Sequence, residues 1–80
     1  MLINYLLSLA IIDRAEFVKQ HGLYLAFHKD GRYLQKLYYL FDHYIEIRFD
    51  SQEDMKVESI DIFKDTKKLH PYLSNINIAF

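Results

Sequence analysis

The sequence predicts an α+β fold: an N-terminal helical segment packed on a four- to five-stranded antiparallel β-meander, with a short C-terminal helix. Three observations point there. Residues 2–21 carry a helical apolar period, the period changes to two after Gly22, and two turn signals place the same residues on one core face. Eighty residues without a linker, repeat or low-complexity tract make one domain, 1–80.

The first element is helical over residues 2–21, with a break expected near Ser8–Ile11. Leu7, Ile11, Ala15 and Val18 follow one another at helical spacing, and Leu6, Ala10 and Phe17 widen that stripe. Asp13, Arg14, Glu16, Lys19 and Gln20 supply the polar side. Gly22 falls where a left-handed residue commonly ends a helix. Residues 23–28 then read as a strand, and Asp30-Gly31 as a tight hairpin turn. Tyr33 to Phe41 is the second strand, Asp42-His43 the second turn, and Tyr44 to Asp50 the third strand. Ser51 to Asp54 is a polar loop. Residues 55–63 form the fourth strand, where the apolar phase shifts from Met55/Val57 to Ile60/Ile62. That shift predicts a bulge near Glu58-Ser59. Asp65 is placed to cap a short helix carrying Leu69, Tyr72 and Leu73, which Pro71 limits to about two turns. The alternation at Ile76, Ile78 and Phe80 is that of a fifth strand or of a segment docking on a partner.

A turn centred on Asp30-Gly31 pairs Phe27 with Leu34, Leu25 with Lys36 and Leu23 with Tyr38. A turn centred on Asp42-His43 pairs Leu40 with Ile45 and Tyr38 with Ile47. Both registers gather Leu23, Leu25, Phe27, Leu34, Tyr38, Leu40, Ile45, Ile47 and Phe49 on one side, which the N-terminal helix is expected to cover. Lys36 is the misfit, expected at a margin with its stem packed and its amine in water.

The opposite face carries the expected interaction residues: Tyr24, Leu37, Tyr39, Tyr44, Glu46 and Arg48. Tyrosine and arginine are enriched where interfaces hold their binding energy. Three occupants are open for this face: residues 65–80 folding over it, a second copy, or a foreign partner.

Composition narrows the function classes. The chain is 51 % hydrophobic with only two glycines and one proline, which argues against disorder. It has no cysteine, so no disulfide holds it together, and a cytoplasmic location is expected. A formal net charge of −1 gives no global attraction to nucleic acid or to an anionic membrane. The apolar run over residues 1–12 is too short to span a bilayer, and Asp13-Arg14 stands where a signal-peptide cleavage site should be. His21, His28, His43 and His70 lack metal-site spacing, so no metal is expected. No serine sits in a nucleophile elbow, the glycines form no phosphate loop, and no cofactor is expected. Tyr39, Glu46 and Arg48 form the one polar trio with enzymatic potential, and Lys64, Lys67 and Lys68 with Tyr72 form the one local argument for nucleic acid.

The run from Leu37 to Ile47 (LYYLFDHYIEI), preceded by Phe17-Val18 and His21-Gly22 and followed by Leu69-His70-Pro71-Tyr72-Leu73, resembles a group of short bacterial proteins without assigned activity. The resemblance implies a small bacterial cytoplasmic α+β protein and carries over no functional residue. The expectation is a non-enzymatic protein-interaction module that binds a protein partner or itself as a homodimer. A nucleic-acid accessory protein is the alternative and a small enzyme the third reading.

Overall fold

A computed structural model describes residues 2–72 of the chain. In chain order the elements are α1 (Leu2–Ser8), α2 (Ile11–His21), β1 (Leu23–Asp30), β2 (Tyr33–Leu40), β3 (His43–Asp50), β4 (Lys56–Phe63) and a 3-10 helix, η1 (Thr66–Tyr72). The strands form one antiparallel sheet in the order β1-β2-β3-β4. This is the expected α+β meander. The suggested strand over Ile76–Phe80, and Leu73, lie outside the described residues.

The helical break falls where the sequence placed it. Arg14 holds the two helices together: its Nε donates to the Leu6 carbonyl at 3.2 Å, and its Nη2 donates to the carbonyls of Leu7 at 2.9 Å and Leu9 at 3.0 Å. These carbonyls lie at and just beyond the end of α1, where the Leu6 carbonyl also accepts the Leu9 N–H at 3.2 Å. The break redirects the apolar stripe. Leu6, Ala15 and Val18 are buried, whereas Leu7 and Ile11, expected to face inward, are exposed. A spacing of four carries a face forward only within one continuous helix.

Gly22 is not left-handed, as expected, but extended (φ −79°, ψ 157°). Its N–H donates to the Val18 carbonyl at 2.7 Å. A Cβ here would lie 2.6 Å from that oxygen. Close approach, not backbone freedom, is what requires glycine.

Both hairpin turns sit one residue from their expected centres. Asp30 pairs with Tyr33, so Gly31 and Arg32 form the first turn, and Gly31 alone has positive φ (62°). That is the pattern of a type II′ turn. Leu40 pairs with His43, and the second turn holds both Phe41 and Asp42 at positive φ (54° and 60°), the type I′ pattern. Moving a turn centre by one residue moves each pairing partner by two. Phe27 therefore meets Lys36, and Tyr38 meets Ile45, yet both keep their expected face.

A bulge between Tyr24 and Ala26 does change faces. Beyond it Tyr24 pairs with Tyr38 on the helix side, with ring centroids 5.5 Å apart, and Leu23 pairs with Tyr39 on the other side. Leu25 is half-buried against the cluster of Ala26, Leu37, Phe63, Leu69 and Tyr72. The placement of Leu23 and Leu25 under the helices, and of Tyr24 opposite them, is thus corrected. The second irregularity, where Arg48 pairs with Ser59 and Phe49 with Val57, leaves Glu58 as the extra residue, as the apolar phase predicted.

Two cores result, one on each face. Leu6, Ala15, Val18, Tyr38, Ile45, Ile47 and Phe49 form the core under the helices. Burying each such large side chain is worth about 1.5–3 kcal/mol. Lys36 is half-buried there with its ammonium 5.5 Å from the centre of the Phe49 ring. Ala26, Leu37, Phe63, Leu69 and Tyr72 form the second core, under η1.

Candidate functional site

The face expected to be open is partly roofed by η1. Asp65 begins the roof: its Oδ1 accepts the Lys67 N–H at 2.9 Å, the cap anticipated for this helix. Leu69 and Tyr72 then point onto the sheet, and Tyr72 is fully buried. The Tyr72 hydroxyl donates to Glu46 Oε2 at 2.5 Å, and its ring lies 6.1 Å from that of His28. Burial first, and the Glu46 hydrogen bond second, push the Tyr72 hydroxyl well above the usual tyrosine range.

The six expected interaction residues are therefore separated. Leu37 has no exposed surface and is a core residue. Glu46 holds Tyr72. Tyr44 stacks on Phe63 at 5.8 Å, with an interplanar angle of 28°. The Arg48 guanidinium lies 4.1 Å above the Tyr33 ring, and its Nε is buried without a hydrogen-bond partner among the described residues. Tyr24 is exposed, but on the helix side. Tyr39 is exposed on the expected side, beside Tyr44, with its hydroxyl 3.4 Å from Asp42 Oδ1. Tyr39, Glu46 and Arg48 do share a face, as the strand period requires, but Glu46 and Arg48 already hold structural partners.

At the other end of this face, Arg32 grips Asp50 with both arms of its fork: Nε to Oδ1 at 3.0 Å and Nη2 to Oδ2 at 2.6 Å. The Gln52 N–H adds a third bond to Oδ1 at 3.0 Å. The Arg32 guanidinium hydrogen bonds hold the Asp50 carboxyl below the usual carboxylate range. This pair ties the first turn to the end of β3, because Ser51 also donates its N–H to the Arg32 carbonyl at 2.8 Å.

The four histidines are dispersed. His21 packs on Phe17 at 4.5 Å, and the Nδ1 of His43 donates to the Phe41 carbonyl at 2.6 Å. Among the described residues no three His, Cys, Asp or Glu side chains are grouped to hold a metal ion. Of the C-terminal lysines, Lys68 pairs with Asp61 at 3.3 Å, while Lys64 and Lys67 are exposed. A cleft of about 240 Å³ lies between α1 and the β2–β3 turn, lined by Leu2, Ile3, Phe41, Asp42, His43 and Lys64.

Large apolar side chains are exposed on β1, at Leu23, Tyr24 and Phe27, and on the two helices. On the helical layer Leu2 is 65 % exposed, Tyr5 54 %, Leu7 49 %, Ile11 42 % and Ile12 72 %. The apolar period places the break between the helices but not the directions in which α1 and α2 then face. The usable signal is the absence of any charged residue from 1 to 12, which leaves no polar face for a solvated helix. No helix among the described residues is long and apolar enough to cross a membrane. No protein-family model, curated protein or solved structure matches the chain.

Proposed function

We propose that this chain is a small non-enzymatic protein-interaction module whose working surface is the outside of its N-terminal helical layer. The observation that carries the reading is the exposure of Leu2, Tyr5, Leu7, Ile11 and Ile12 together in one charge-free stretch. Surface apolar residues scattered singly are ordinary, but a concentration rimmed by polar residues marks an interaction site. Asp13, Glu16 and Lys19 follow in α2 and are exposed, the last two paired at 3.5 Å. The expected docking face on the sheet is reduced to Tyr39 and its surroundings, because η1 occupies the centre. A cytoplasmic setting suits a chain that has no cysteine.

The test is co-purification under native expression, comparing wild type with Ile12→Asp. Ile12 lies in the first turn of α2, where a carboxylate favours the helix, so this variant is expected to fold. A stoichiometric chain, of the same or another protein, held by wild type and lost in the folded variant is the expected result. Recovery of wild type as a lone monomer overturns the reading.

A further inference from the structure

We propose that the sheet face opposite the helices holds a binding site for one small oxyanion, a carboxylate or a phosphate, centred on Arg48. The site is separate from the helical layer and does not depend on the interaction reading above. Three observations lead to it.

The first is a row of polar residues. The register sets His28 of β1, Gln35 of β2, Arg48 of β3 and Ser59 of β4 side by side across all four strands. Residues directly opposite one another share a face, and neighbouring strands stand about 4.8 Å apart, so Gln35 and Ser59 flank Arg48 within reach of one small ion. In the next row along the strands Ala26 and Leu37 belong to the core under η1, and the Tyr72 ring borders His28.

The second is that these groups are unused. None of the four side chains makes a hydrogen bond or an ion pair among the described residues, and Arg48 Nε is buried without an acceptor. A buried donor on a charged group that lacks an acceptor is costly and uncommon in folded proteins, and an ion or a water is the usual remedy.

The third is that the nearby carboxylates are engaged elsewhere. Glu46, two residues along β3, gives its Oε2 to the Tyr72 hydroxyl, and Asp61 pairs with Lys68. Asp50 takes both arms of Arg32 and the Gln52 N–H. In the row of Asp30, Tyr33, Asp50 and Lys56, the two carboxylates are matched in charge by Lys56 and by Arg32. Arg48 is left as a guanidinium with a ring beneath it, Tyr33 at 4.1 Å, and no anion. A guanidinium over a ring keeps donors free along its edge. Carboxylates and phosphates share the feature that fits such a fork, two oxygens held side by side. The Gln35 amide and the Ser59 hydroxyl stand on the two flanks to donate to the same ion.

Titration of the whole chain with sodium phosphate and, separately, sodium acetate tests the proposal, at an ionic strength held constant with chloride. The readouts are the NMR signals of the Arg48 Nε–H and of the Gln35 and Ser59 amides. Shifts that saturate at millimolar concentration are expected, and the ion that saturates first names the source of the oxyanion. Arg48→Lys keeps the charge but loses the fork, and is expected to weaken binding about tenfold or more, read on the two amides. Ser59→Ala, at an exposed position, is expected to fold and to weaken binding severalfold. If Arg48→Lys fails to fold, Ser59→Ala decides alone. Shifts that stay linear in both ions show that water alone meets the Arg48 donors, and overturn the proposal. Saturable binding that the folded variants leave unchanged overturns it as well.

Discussion

Two layers cover opposite faces of one sheet, and they finish their outer surfaces in opposite ways. The C-terminal layer, η1, turns its large apolar residues Leu69 and Tyr72 inward and leaves Thr66, Lys67, Lys68 and His70 outside. The N-terminal layer buries Leu6, Ala15 and Val18 but leaves Leu2, Tyr5, Leu7, Ile11 and Ile12 outside. Each layer contributes to a hydrophobic core, so stability alone does not separate them. The polarity of the outer side does. The outside of η1 presents Lys67, Lys68 and His70 and that of α2 presents Asp13, Glu16 and Lys19, whereas α1 presents no charged side chain.

The largest expected effect tests whether the C-terminal layer is structural. Tyr72→Ala removes a fully buried ring and the hydroxyl that Glu46 accepts from. Large-to-small changes of an aromatic in a core cost about 3–5 kcal/mol. Urea unfolding should show that loss in the midpoint. A loss within about 0.5 kcal/mol would mean that η1 is an ornament, and would reopen the sheet face as the working surface.

Gly22→Ala tests the joint between the helical layer and the sheet. The added methyl meets the Val18 carbonyl at 2.6 Å, so α2 must shift relative to β1. The expected cost is about 1–3 kcal/mol, that of forcing extra volume into a packed site. An unchanged melting temperature would show that the helical layer slides freely on the sheet and is not a fixed surface.

Tyr72→Phe separates the hydroxyl from the ring. Leaving Glu46 without its donor is expected to cost about 1–2 kcal/mol near neutral pH. The pH dependence gives a second reading. The folded Tyr72 pKa lies above its unfolded value of about 10, so its contribution is complete below pH ~10 and is lost as the pH rises further. Unfolding followed from pH 8 to 11 should therefore fall more steeply for wild type than for Tyr72→Phe. Parallel curves would show that the hydroxyl titrates in the folded state as freely as in the unfolded chain.

How far the sequence anticipates this arrangement depends on parity. Each hairpin turn is displaced by one residue, which slides the partner by two and leaves Leu34, Tyr38, Leu40, Ile45, Ile47 and Phe49 on their expected side. The bulge at Glu58 is legible because the apolar phase of β4 breaks there. The bulge at Leu25 is not, because Leu23, Tyr24, Leu25 and Phe27 are all apolar and alternation has nothing to mark. Tyr24 therefore lies beside Tyr38 on the helix side, not on the face that uninterrupted alternation would give it. The cover that η1 places over Leu37 corresponds to the first of the three occupants the sequence leaves open for this face, residues 65–80 folding over it. The exposed helical layer was missed for a geometric reason: the break at Leu9-Ala10 rotates α1 relative to α2, and spacing along the chain says nothing of that rotation.

The smallest expected effect concerns the polar outside of η1. Lys68 donates to Asp61 Oδ2 at 3.3 Å, with both side chains about half exposed, and its ammonium lies 5.4 Å from the centre of the Phe63 ring. An exposed pair of this kind contributes between nothing and about 1 kcal/mol, because water screens it and the long side chain loses freedom in forming it. Lys68→Ala is expected to change the unfolding free energy by about 0.5 kcal/mol or less and to leave co-purification as it is in wild type. Loss of a captured partner in this variant would move the proposed interface from the helical layer to η1, and the contrast between the two outer surfaces would then be drawn the wrong way round.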